Sequence, residues 1–226
     1  MKNTLRLGGL VLGLVAIWVG NAQAEMYGFQ LVPPGNTDGS VAAQLSLEVT
    51  EDSPNVLFTF RNNLAPGPVV ASPLQSSITE VYFDDNAGAL SSLSLIAGPL
   101  ALDWATPIPN GPGDLPGGTN LTPEFHANFT AGAEAPPAGN GVHPGEYVQI
   151  GFTHALSFAD IIAALNAGAG DPSPSTGTLR VGMHVQGIGT SGASDGFVLT
   201  RVPVPGALLL GMLGLGAAGW RLRRFA

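Results

Sequence analysis

No cysteine occurs among the 226 residues, which excludes disulfides, thiolate metal sites and a cysteine nucleophile. Charge is also scarce, at 11% of the chain, and positive charge is nearly confined to the two ends. Lys2 and Arg6 stand before the first apolar run, and Arg221, Arg223 and Arg224 follow the last one. Between them only Arg61, Arg180 and Arg201 oppose all sixteen acids, which leaves the middle with thirteen net negative charges. A domain this acidic repels nucleic-acid phosphates and anionic lipid surfaces, so nucleic acid is not expected as a partner. Acidity of this degree keeps a domain soluble.

Frames for chemistry are equally sparse. The histidines, His126, His143, His154 and His184, are scattered, with no pair at i+3 or i+4 and no His-Glu-x-x-His. There is no Gly-x-Ser-x-Gly elbow and no Walker loop. Gly187-Ile188-Gly189-Thr190-Ser191-Gly192 fits Gly-x-Gly-x-x-Gly, but it leads to a strand, and without a helix N-terminus nothing holds a pyrophosphate. Asp84-Asp85-Asn86 gathers hard oxygens but lacks the spaced ligands of a calcium loop, so it reads as a turn. No catalytic residue, metal site or cofactor is expected.

What is plentiful is Gly and Pro, 32 and 19 residues, against 45% hydrophobic content, which favours an all-β core with many turns. Leu45, Leu47 and Val49 alternate with Ser46, Glu48 and Thr50, and Val56, Phe58 and Phe60 repeat that period across a turn at residues 51–54. Residues 77–83 and 89–96 are further strands, and these four are expected to pair in succession. From Pro99 to Pro144 runs a long Pro/Gly-rich excursion with one strand near 124–130, the first place to look for a ligand surface. A strand at 146–153 follows, then a helix capped by Ser157 with Asp160 in its first turn, and Phe158, Ile161, Ile162 and Leu165 on one face up to Gly168. Strands at 179–186 and 197–200 flank a loose loop from Gly187 to Gly196. The expected object is a β-sandwich, jelly-roll-like, of seven or eight strands over residues 25–201, with the helix packed at an edge.

Both ends carry processing patterns. Lys2 and Arg6, the apolar run Leu7–Val19 and the small-x-small site Ala22-Gln23-Ala24 make a secretory signal with cleavage after Ala24. Thirteen apolar residues fall short of the about 20 needed to span a bilayer. At the other end, Val202 to Trp220 is uncharged and, as helix, reaches roughly 28 Å, close to a hydrocarbon core of about 30 Å. The following arginines fix the tail on the cytoplasmic side. An ordinary membrane anchor answers the same pattern.

Val202-Pro203-Val204-Pro205, a Gly/Leu/Ala-rich run from Gly206 to Trp220 and Arg221, Arg223 and Arg224 resemble the tripartite PEP-CTERM sorting signal. Val204 stands where that family usually has Glu, as in a Val-Pro-x-Pro variant. Phrases such as Ser77–Asp85 and Leu179–Gln186 are also similar to those of PEP-CTERM cargo domains, most of which have no assigned activity. The resemblance implies Sec-type export, a signal peptidase, an exosortase-like membrane protease acting at residues 202–205, membrane retention before processing, and a final place in the envelope or extracellular matrix beside exopolysaccharide. The function expected is therefore non-enzymatic. A carbohydrate- or calcium-binding surface module is the alternative, and a secreted hydrolase is the least favoured.

Overall fold

The computed structural model describes residues 24–106, 114–170 and 176–201. Ten strands form one antiparallel sheet there: β1 (Ala24–Leu31), β2 (Leu45–Asp52), β3 (Asn55–Asn62), β4 (Ser77–Asp85), β5 (Leu90–Ala97), β6 (Trp104–Ala105), β7 (Phe129–Ala133), β8 (Glu146–His154), β9 (Leu179–Ile188) and β10 (Ala193–Arg201). Their order across the sheet is β5-β8-β3-β2-β1-β10-β9-β4-β7-β6. Two helices accompany it, α1 (Pro137–Asn140) and α2 (Phe158–Gly168). The protein is all-β with few helices.

The sheet curls until its halves face each other. Phe58 and Phe60 of β3 meet Phe83 of β4 edge-to-face at 5.1 and 6.0 Å, and Phe152 of β8 meets Phe83 at 4.7 Å and Phe129 of β7 at 5.2 Å. These strands lie far apart in sheet order, so only curling brings the rings together. Alternation decides which side chains enter: Tyr27 and Phe29, Leu47 and Val49, Val181 and Met183, and Phe197 and Leu199 all point to this core.

The β2–β3 hairpin forms as the alternation requires, with Asp52 opposite Asn55. The expected succession stops there. β4 pairs with β9 and β7, and β5 pairs with β8. Residues 63–76 carry the chain across to the other half, so β3 and β4 meet through side chains instead of a ladder. The strand count exceeds seven or eight because β1 and the two-residue β6 gave no alternation strong enough to read. The stretch from Gly187 to Gly196 is mostly strand: β9 and β10 close through a short turn in which Gly189 and Gly192 take positive φ.

Ser157 caps α2, its Oγ accepting the Asp160 N–H, and Phe158, Ile161 and Leu165 are buried as their spacing requires. Ile162 is half-buried beside them. The helix closes one end of the curl and not an edge: it packs on β9, and the Asn166 carbonyl accepts the Arg201 Nε–H at 3.1 Å. Because neighbouring strands alternate in direction, the links 52–55, 85–90 and 154–179 share this pole. Tyr27 lies opposite Arg201, so both ends of the sheet also emerge there, on adjacent strands. The links 31–45, 62–77, 97–104, 133–146 and 188–193 make the opposite pole.

Candidate functional site

The Pro/Gly-rich excursion supplies the site. Residues 114–128 leave the sheet edge and lie as a strap over the outer face of β10, β9 and β4. Two glycines make room for it. A Cβ on Gly196 would stand 2.0 Å from the Pro116 carbonyl oxygen, and one on Gly182 would stand 2.8 Å from the Leu115 methyls. Leu115 and Phe125 then pack with Val32, Tyr82 and Val198 in a second, smaller apolar cluster.

One buried cation fastens the strap. The Arg180 side chain of β9 donates from Nε to Asp84 Oδ2 at 3.0 Å and from Nη2 to the same carboxylate. Its Nη1 and Nη2 also donate to the carbonyls of Pro123 and Glu124 at 2.8 and 2.5 Å, and its guanidinium sits 5.2 Å from the Phe125 ring centre. Arg180 and Asp84 are 3% and 2% exposed, so neither charge would survive there without the other.

Between strap, sheet and the end of α2 opens a cleft of about 460 Å³. Leu121, Pro33, Val198 and Leu199 give it apolar walls, and Gln30, Asn120 and Thr122 set amides and a hydroxyl among them. An apolar cavity with a few directional polar groups suits an uncharged small ligand. The Arg180 guanidinium reaches its wall, but Asp84 already neutralises it.

A second, more open cleft of about 470 Å³ lies at the pole opposite the chain ends. Asn36, Thr37, Asp38, Ser40, Gln75 and Thr190 face it. Buried Asp195 holds its rim: Oδ1 accepts the Asn36 N–H at 2.6 Å, and Oδ2 accepts the Thr37 N–H and hydroxyl at 2.9 and 2.6 Å. Asp38 is fully exposed, and the Ser40 backbone N–H and hydroxyl hold its carboxyl below the usual carboxylate range.

A polar trio sits on the outer face of β4 and β9. Glu80 accepts from the Tyr82 hydroxyl and from His184 Nδ1 at 3.1 Å. The hydrogen bond from His184 keeps Glu80 below the ordinary carboxylate range against the opposing effect of burial. Burial, with the hydrogen bond to Glu80 second, raises the Tyr82 hydroxyl, which therefore stays protonated.

The histidines remain apart. His126 lies 3.7 Å from Glu124, His143 Nε2 is 3.3 Å from the Gly139 carbonyl, and His154 Nδ1 is 2.6 Å from the Leu156 carbonyl. Among the described residues no three His, Asp or Glu side chains group as metal ligands. The Asp84-Asp85-Asn86 oxygens are engaged within the protein: Asp84 by Arg180 and by the Asn86 amide at 2.7 Å, and Asp85 by the backbone N–H groups of Ala89 and Leu90 at 3.0 and 2.8 Å. The Gly187–Gly192 segment is the β9–β10 turn.

Of the terminal site residues, Ala24 opens β1 opposite Thr50. Ala22, the run Leu7–Val19, the motif Val202, Pro203, Val204 and Pro205, the run to Trp220, and Arg221, Arg223 and Arg224 lie outside the described residues. Among the described residues no helix is long and apolar enough to cross a membrane. Arg180 is the site residue that sequence reasoning passed over. Its signal was there, since one arginine inside the apolar strand Leu179–Val185 needs an acid within reach.

The geometry defines an all-β domain with a strap-built apolar cleft. No family model matches the chain, and no curated protein and no solved structure matches it either.

Proposed function

We propose that the chain is an exported, non-enzymatic envelope or matrix protein, held and sorted through its terminal segments. Support comes from one observation above the others. β1 and β10 are neighbours, and the chain enters at Ala24 and leaves at Arg201 on the same pole. The expected signal cut after Ala24 and the sorting segment that begins at Val202 thus meet the domain at one pole. The PEP-CTERM-like order of Val202–Pro205, apolar run and arginines gives the C-terminal attachment its meaning, with an exosortase-like protease as partner. The curled sheet with opposed halves fits the sandwich-like scaffold of such a body. The described cations serve inward: Arg61 pairs with Glu48, Arg180 with Asp84, and Arg201 with the end of α2.

Deleting Val202–Ala226 tests this reading. The truncated domain is expected in the culture medium, and the full chain in the membrane or envelope fraction. Equal retention of both by immunoblot of fractionated cells would reject it. A second reading, a glycan-binding surface module, is favoured by the amides and hydroxyls at both clefts. Calorimetry of the full chain against neutral and acidic glycans decides it, with no heat against any of them as the outcome that removes it. Calcium binding at residues 84–86 has less support, because those oxygens are already in use.

A further inference from the structure

The curled sheet leaves two edges, and they differ. β6 has two residues, too short to template another strand. β5 has eight, Leu-Ser-Ser-Leu-Ser-Leu-Ile-Ala, with no charge and no proline. It pairs with β8 on one side and ends the sheet order on the other. Ser91, Ser92 and Ser94 are exposed, and Ser92 Oγ already lies 2.8 Å from the Thr153 hydroxyl of β8. A row of backbone donors and acceptors this long is ordinarily guarded by lysine, proline or a covering loop. Among the described residues the only blunting device is a pair of register shifts against β8.

We propose that the outer edge of β5 is a homotypic pairing surface, on which β5 of a second copy adds as an antiparallel strand. Self-matching selects the occupant. The domain carries thirteen net negative charges, which two copies must bring together, yet this edge itself carries none and so adds no like-charge contact at the seam. A second copy brings a strand equally neutral, with the same bends and with serines to meet serines, a favourable cross-strand pairing. Like edges join only in the antiparallel sense, about a two-fold axis. The poles bearing the chain ends then point in opposite directions. Pairing therefore joins free chains or chains on facing surfaces, and not upright neighbours rooted in one membrane. That last consequence alone rests on the sorting reading above.

Sedimentation velocity of the full chain in detergent micelles tests the pairing. Expected is a monomer–dimer equilibrium that tightens as salt screens the acidic bodies. The pair Ser92→Lys with Ser94→Lys should be monomeric, and so should Ser92→Glu with Ser94→Glu, each with an unchanged thermal melt because these side chains are exposed. Mixing the two variants should restore a dimer, which a contact elsewhere would not do. A wild type that stays monomeric up to its solubility limit overturns the proposal. So does a dimer that survives the lysine pair, or a mixture that stays monomeric.

Discussion

The two halves of the curled sheet share an interior but differ outside. Over β2, β3 and β8 the outer face is wet and laced with polar contacts: Arg61 donates to Glu48 at 2.5 Å and lies 5.2 Å from the Tyr147 ring centre, and Gln149 donates to Thr59 at 3.1 Å. Where the strap crosses β10, β9 and β4 the outer face is dry, because Gly182, Gly196, Tyr82 and Val198 receive Leu115, Pro116 and Phe125. A one-sided sheet needs only alternation. A sheet covered on both sides needs apolar or very small residues on both, and the cleft exists where the strap's cover ends.

What the halves share should matter most. Phe83 is fully buried and touches rings from β3 and β8, so Phe83→Ala empties the interior of both halves at once. The expected loss is about 3–5 kcal/mol, read from the denaturant midpoint. That is a large share of a marginal stability of about 5–15 kcal/mol. Gly196→Ala should sharpen the contrast. It affects only the covered half, where its methyl would meet a backbone oxygen that cannot step aside without moving the strap. A loss of about 1–3 kcal/mol is expected, with new protease cuts confined to residues 114–128. Gly182→Ala meets only the flexible end of Leu115 and should cost less. Equal effects of the two glycine changes would mean that the strap is not held against Gly196.

The same contrast explains what was legible. In β2 and β3 a polar residue followed nearly every apolar one, and strand and hairpin followed from that period and the turn residues between. In Ser77–Asp85 and Leu179–Gln186 the β-forming residues announced strands, but not that the two pair with each other, since Asp84 and its partner Arg180 lie 96 residues apart. β1 stayed unread because Ala24–Leu31 mixes glycine, glutamine and exposed ends. The strap had no period at all. Its path is set by two absent side chains on other strands and by one buried ion pair, none of which is a local property of residues 114–128. The excursion could nonetheless be singled out, because a run so long without regular structure is unusual inside a compact domain. The proposed terminal signals are read for the opposite reason: signals of that kind are recognised as short linear patterns.

The smallest expected effect concerns Glu80, beside the strap. Its folded-state carboxyl lies below the ordinary value of about 4.5, chiefly because His184 Nδ1–H donates to it, with the Tyr82 hydroxyl helping and burial opposing. A carboxylate accepts only, so the imidazole proton in that bond sits on Nδ1. A depressed pKa contributes stability that is present above the unfolded value and fades as pH falls through the folded one. Stability should therefore drop between about pH 5 and the lower folded value, and Glu80→Gln should flatten that part of the profile. Glu80 is partly open to solvent, so the difference should stay below about 1 kcal/mol. Should Glu80→Gln keep the full wild-type slope, the trio would contribute nothing to holding the covered half together. The strap would then rest on Arg180, Asp84 and its apolar contacts alone.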